Sequence, residues 1–99
     1  MNKFDVYRNR TGAGYILDVQ TDLLSGLNTR VVVPLIQLTD SPKPAKYLNP
    51  IFTVDGEEFV MLTQFIASIP ESELSQPIAN IDNCHHEINT ALDMIFSGF

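Results

Sequence analysis

The stretch Arg30-Val31-Val32-Val33-Pro34-Leu35-Ile36 decides the fold class. Three consecutive β-branched valines disfavour a helix and suit a strand buried on both faces. Pro34 cannot donate a ladder hydrogen bond, so this strand is expected to bend, bulge or lie at an edge there. Working outward, a period of two recurs on both sides. Phe4–Tyr7 and Tyr15–Gln20 read as paired strands, joined by Arg8-Asn9-Arg10-Thr11-Gly12-Ala13-Gly14, expected to be a mobile loop. Downstream, Thr39–Lys46 carries two prolines and no apolar rhythm, and reads as an exposed connection. Pro50–Val54 and Glu57–Thr63 flank Asp55-Gly56, a type I′ hairpin signal. Phe65–Ile69 reads as a further short strand before Pro70, and Ser72–Asn80 as irregular.

At Ile81 the period changes. Ile81, Cys84, Ile88, Ala91, Leu92, Ile95 and Phe99 recur at spacings of three and four, the apolar stripe of a helix over about 82–97. Asp82 or Asn83 is expected to cap it. Met94 and Phe96 fall partly outside the stripe, and the sequence closes on Met94-Ile95-Phe96-Ser97-Gly98-Phe99 with no polar tail. A helix tip that is apolar on several sides predicts a second surface to satisfy, and in a small chain that surface is a partner. The expected architecture is one domain, β-rich over 1–80, forming a twisted antiparallel sheet or partly closed barrel covered by one C-terminal helix.

Composition narrows the function. The chain has 99 residues, 44% hydrophobic and 18% charged, with twelve acidic and six basic side chains and a net charge of −6. Such a balance opposes sequence-independent phosphate binding, so no direct contact with nucleic acid is expected from this chain alone. No segment approaches the roughly 20 apolar residues of a membrane span, and the Met1-Asn2-Lys3-Phe4-Asp5 start lacks a signal-peptide core. Cys84 is the single cysteine, which excludes an internal disulfide and predicts a cytoplasmic home. Cys84-His85-His86 with Asp82 and Glu87 has the look of a metal cluster, but adjacent helical residues diverge by about 100°. Only Asp82 and His86 have converging spacing, so no metal is expected. Cys84 and His85 lack an orienting third group, and Gly12-Ala13-Gly14 is too short for a nucleotide loop, so neither a catalytic residue nor a cofactor is predicted.

Four segments, in order, carry a resemblance. Asp18–Leu24 (DVQTDLL), Arg30–Leu35 (RVVVPL), Met61–Pro70 (MLTQFIASIP) and Phe96–Phe99 (FSGF) resemble the CcdB toxins of bacterial toxin–antitoxin pairs. The resemblance spans Phe4 to Phe99 and is weakest between Gln37 and Asn49. It implies an SH3-like barrel with a C-terminal helix, assembled as a two-fold homodimer. It also implies a toxin that poisons DNA gyrase by binding the enzyme's breakage–reunion subunit and trapping the cleaved-DNA complex. A CcdA-type antitoxin would neutralise it, and the two would repress their own operon, as in plasmid maintenance systems. Such a poison breaks no bond; it binds the open target better than the resealed one and shifts the population.

The resemblance also implies site residues. Leu23 and Leu24 occupy the places of the family's gyrase-contacting aliphatics, with Thr21 beside them. Two adjacent leucines in a strand would face opposite sides, so only one could enter a given core unless the chain bends. At the tip, Asp93, Phe96, Ser97, Gly98 and Phe99 align with the family's gyrase-binding tail. There Ser97 replaces a tryptophan, Asp93 an asparagine and Phe99 an isoleucine. Met94, Ile95 and Phe96 fall at the implied dimer interface, and Arg8 and Arg10 at the implied antitoxin contact. Two alternatives stay open: a degenerate relative that binds antitoxin without poisoning gyrase, and a MazF-type endoribonuclease, for which Arg8, Arg10, Arg30, Lys3, Lys43 and Lys46 look too scattered to form a groove.

Overall fold

The computed structural model describes residues 1–98. Seven strands form one antiparallel sheet: β1 (Asp5–Arg8), β2 (Tyr15–Asp18), β3 (Thr29–Gln37), β4 (Ile51–Val54), β5 (Glu57–Met61), β6 (Ala67–Pro70) and β7 (Ala79–Asn80). Among the described residues a single α-helix, α1 (His85–Ser97), follows. The strand order is β4-β5-β3-β2-β1-β7, with β6 also on β3, and the sheet curls into a nearly closed barrel. The expected mostly-β barrel with a C-terminal helix is therefore the observed fold.

The valine strand organises this topology. Along one edge β3 pairs with β2, from Tyr15↔Leu35 to Asp18↔Val32. Along the other it pairs first with β6, over Thr29 to Val32, and then with β5, over Leu35 to Gln37. Pro34 sits at the changeover. Its carbonyl accepts the Leu62 N–H at 2.9 Å, so the N–H it lacks would point to the same side, into the gap between β6 and β5. Proline thus occupies the stretch of this long strand where neither β6 nor β5 is paired with it and a missing N–H costs least.

Alternation separates two buried faces. On one side Val6, Leu17, Val33 and Leu35 join Phe4, Phe52, Phe59, Met61, Ile81, Ile88 and Ala91 in the main core. The helix closes this side, and each fully buried aliphatic there contributes roughly 1.5–3 kcal/mol. On the opposite side of the same strands Tyr7, Asp18, Arg30 and Val32 are also buried. That second interior is polar. Tyr7 Oη donates to Asp5 Oδ2 at 3.4 Å, and Asn80 Nδ2 donates to Asp5 Oδ1 at 2.9 Å.

Element boundaries differ from expectation where backbone geometry intervenes. Phe4 has φ 72°, a left-handed conformation, so β1 starts one residue later. β2 stops at Asp18 because the chain turns away into a 3₁₀ turn at Asp22–Leu24. β5 ends at Met61; a 3₁₀ turn over Thr63–Phe65 then displaces the sixth strand to Ala67–Pro70. The Ser72–Asn80 stretch ends in the two-residue strand β7, paired with β1. The cap expected of Asp82 or Asn83 is absent. A 3₁₀ turn occupies Asp82–Cys84, the helix starts at His85, and no side chain caps it. The Asp55-Gly56 hairpin holds: both residues have positive φ, 52° and 81°, the signature of a type I′ turn.

Candidate functional site

The DVQTDLL segment leaves the sheet after Asp18 and presents its leucines outward. Thr21 Oγ1 accepts the Leu23 N–H at 3.3 Å, and Leu24 N–H reaches the Thr21 carbonyl at 3.1 Å. This bend removes the constraint of opposite faces: Leu23 is 93% exposed and Leu24 47% exposed. Neither enters the core. The Thr21 hydroxyl spends its acceptor capacity on shaping the turn.

The turn packs beside the helix tip. An open groove of about 350 Å³ is lined by Thr21, Leu24 and Leu27 from the turn, Ile66 from the residue just before β6, and Leu92 and Phe96 from α1. Phe96 is 71% exposed at its mouth. Residues from opposite ends of the chain therefore build one apolar surface, and the structure brings together Thr21, Leu24 and Phe96. Leu23 stands next to them on the same turn. Leu27 and Ile66 were missed by sequence reasoning. Leu27 lies among Ser25, Gly26 and Asn28, and a lone leucine in such a turn-forming run was the available signal.

The helix end supports this surface. Asp93 and Ser97 are exposed, and Met94 and Ile95 are half-buried. Gly98 adopts φ 79° and donates its N–H to the carbonyls of Asp93 and Met94, both at 3.1 Å. It is a left-handed helix cap, a role for which glycine is the least strained residue. Phe99 lies outside the described residues.

Beneath the turn lies an ion pair. Arg30 Nη2 is 2.7 Å from Asp18 Oδ2, with the two side chains 1% and 0% exposed. Burial pushes the Asp18 carboxyl above its ordinary value, although Arg30 and the Gln20 N–H both hold it down. Arg30, read from sequence as one of several scattered cations, is thus an interior residue. Asp22 Oδ1 lies 3.9 Å from the same guanidinium and accepts the Lys3 N–H at 2.8 Å.

Arg8 and Arg10 sit elsewhere. Asn9 organises their loop: its Oδ1 accepts from Thr11 N and Oγ1, and its N–H donates to the Gly14 carbonyl. Arg10 lines a cleft with Ile69 and Glu73, and Arg8 lines another with Asp40 and Glu57. Among the described residues neither arginine forms an ion pair. Cys84 is half-buried against the core, and burial pushes its thiol up. Among the described residues no group of three or more His, Cys, Asp or Glu is placed to hold a metal ion, and no helix is long and apolar enough to cross a membrane.

The family model described as CcdB protein matches residues 3–98. The chain belongs to the CcdB family. As a family member it is a toxin of the toxin–antitoxin kind, and each of the four segments that carry the resemblance contributes to the groove, through Leu24, Val31, Ile66 and Phe96.

Proposed function

We propose that this CcdB-family chain poisons DNA gyrase by docking on the breakage–reunion subunit through the Leu23–Leu24 turn and the helix tip, holding the cleaved-DNA complex open. One observation carries this reading: Leu24 and Leu27 share one solvent-open apolar groove with Phe96, far away in sequence, and Leu23 is exposed on the same turn. A monomeric protein gains nothing by presenting such a patch to water, whereas a docking protein does. Asp93, Ser97, Gly98 and Phe99 would extend the contact. Met94, Ile95 and Phe96 would meet a second copy, so that a dimer offers the patch twice to a two-fold target. Arg8 and Arg10 would receive an acidic antitoxin tail of the CcdA type, and toxin and antitoxin together would repress their operon. In this scheme the single-domain protein acts in the cytoplasm and catalyses no reaction.

Ser97 favours a second reading. Its exposed hydroxyl stands where the family tail has a tryptophan, and losing an aromatic anchor typically costs about 2 kcal/mol, or about 30-fold in affinity. A protein that retains antitoxin binding without gyrase poisoning follows from that loss. Titration against the breakage–reunion fragment of gyrase separates the two. Wild-type protein is expected to bind below tens of micromolar, and Leu23→Asp to weaken binding by at least about 30-fold without unfolding. Absence of wild-type binding at that concentration, with antitoxin still bound, would establish the second reading instead.

A further inference from the structure

Gln20 is buried at the base of the leucine groove, which it helps to line, and is bonded at every polar atom. Its N–H donates to Asp18 Oδ1 at 3.0 Å, and its Oε1 accepts the Val31 N–H at 3.0 Å. Its Nε2 donates to the Leu24 carbonyl at 3.2 Å, and Arg30 Nη2 donates to the Gln20 carbonyl at 3.5 Å. The Thr21–Leu27 backbone has only short-range bonds of its own, from Leu24 to Thr21, Ser25 to Asp22 and Leu27 to Leu24. Such bonds define a turn but do not anchor it: Asp22 Oδ1, accepting the Lys3 N–H at 2.8 Å, ties its start to the barrel, and the Gln20 amide ties its Leu24 end. An exposed turn bearing leucines gains by folding them into the neighbouring groove, so holding them out requires a tether.

We infer that Gln20, locked by the buried Asp18–Arg30 pair, is the positioning residue that fixes the Leu23–Leu24 turn in its docking geometry before a partner arrives. Only an amide serves here, because the site needs a donor toward Leu24 and an acceptor toward Val31 from one side chain. The consequence is kinetic. If the turn is competent only a fraction of the time, apparent affinity falls by that fraction, and the loss appears in the association rate. A lost direct contact appears mainly in dissociation. This inference rests on the gyrase reading above, since it names the residue that prepares the same surface.

The test uses the full chain, the gyrase breakage–reunion fragment as probe, and amide hydrogen exchange. Gln20→Met keeps the length but has neither donor nor acceptor. It is expected to weaken binding about tenfold through slower association, a turn competent about a tenth of the time. Exchange at Leu24 and Leu27 should accelerate while Val33 and Leu35 stay protected. Adding Gly26→Ala supplies an independent restraint: a Cβ there meets nothing within 4 Å, and alanine narrows the turn's alternatives. The double variant should recover part of the association rate, which a general loss of stability would not permit. Gln20→Asn, too short to reach Leu24, replaces Gln20→Met if that variant unfolds. Unchanged affinity, a loss confined to dissociation, or unchanged exchange at Leu24 and Leu27 would each overturn the inference. A wild-type chain that fails to bind the fragment defeats the gyrase reading, and this inference falls with it.

Discussion

The Asp55-Gly56 hairpin and the Thr21–Leu27 turn are both short, exposed connections, but they are held by different means. The hairpin is local: two positive φ values and the Val54↔Glu57 register define it, and a Cβ on Gly56 would meet nothing within 4 Å. The leucine turn depends on groups brought from afar, namely Lys3 N–H on Asp22 and Gln20 between Leu24 and Val31, backed by Arg30 on Asp18. The first can be read from a dipeptide. The second needs the folded sheet to exist. Local turns set register by themselves, whereas the exposed leucine turn of this small barrel is shaped through its interior.

Breaking the long-range arrangement should cost most. Arg30→Met leaves the Asp18 carboxylate buried without its partner and should destabilise the fold by about 3–5 kcal/mol, measured by urea denaturation. Replacing both members with apolar residues should cost much less, because no orphan charge remains. Equal losses in the single and double variants would mean that the pair itself, rather than the orphan, matters.

The polar interior offers a second probe. Burial, followed by the neighbouring charges of Asp5 and Asp18, raises Tyr7 from 10.0 to about 12. A raised folded-state value means that the native form holds its proton longer than the unfolded chain. Stability from this group is therefore complete below pH 10 and lost as pH climbs from 10 toward 12, by about 2–3 kcal/mol. Tyr7→Phe should flatten that alkaline slope in denaturation curves. A slope unchanged in the variant would assign it to other groups.

The smallest effect belongs to the local turn. Gly56→Ala forces an L side chain into a left-handed conformation and should cost about 1–2 kcal/mol, lowering the melting temperature while the gyrase fragment binds as before. A binding change would show that the two turns are coupled after all.

Much of the fold was legible because the relevant signals are local. The valine run, the Asp-Gly pair and the stripe through Ile88 and Ala91 each name an element from its own residues. The helix start was not, since a 3₁₀ turn intervenes at Asp82–Cys84: Asn80 Oδ1 accepts the Asp82 N–H at 2.9 Å, and Asn83 Oδ1 accepts from Cys84 Sγ at 3.7 Å rather than from the helix. Of the candidate surface, Leu23 and Leu24 came from family resemblance, whereas Phe96 also stood out by falling outside the helix's apolar stripe. Leu27 and Ile66 join them only through tertiary proximity. Arg30 was hidden for a related reason: a cation at the head of a valine strand looks like a solvated end until Asp18 is seen two residues off its register on β2.

The interior placement of Arg30 alters the electrostatic field the protein casts. With that guanidinium enclosed, five of the six Lys and Arg side chains remain outside the buried set, against ten of the twelve Asp and Glu once Asp5 and Asp18 are set aside. A DNA duplex meeting this surface meets mostly its own sign of charge, and counterion release offers little to offset the repulsion. Under the operon repression proposed above, the grip on an operator would come from cations on the antitoxin, and operator affinity of the assembled pair should track the antitoxin's share of the complex.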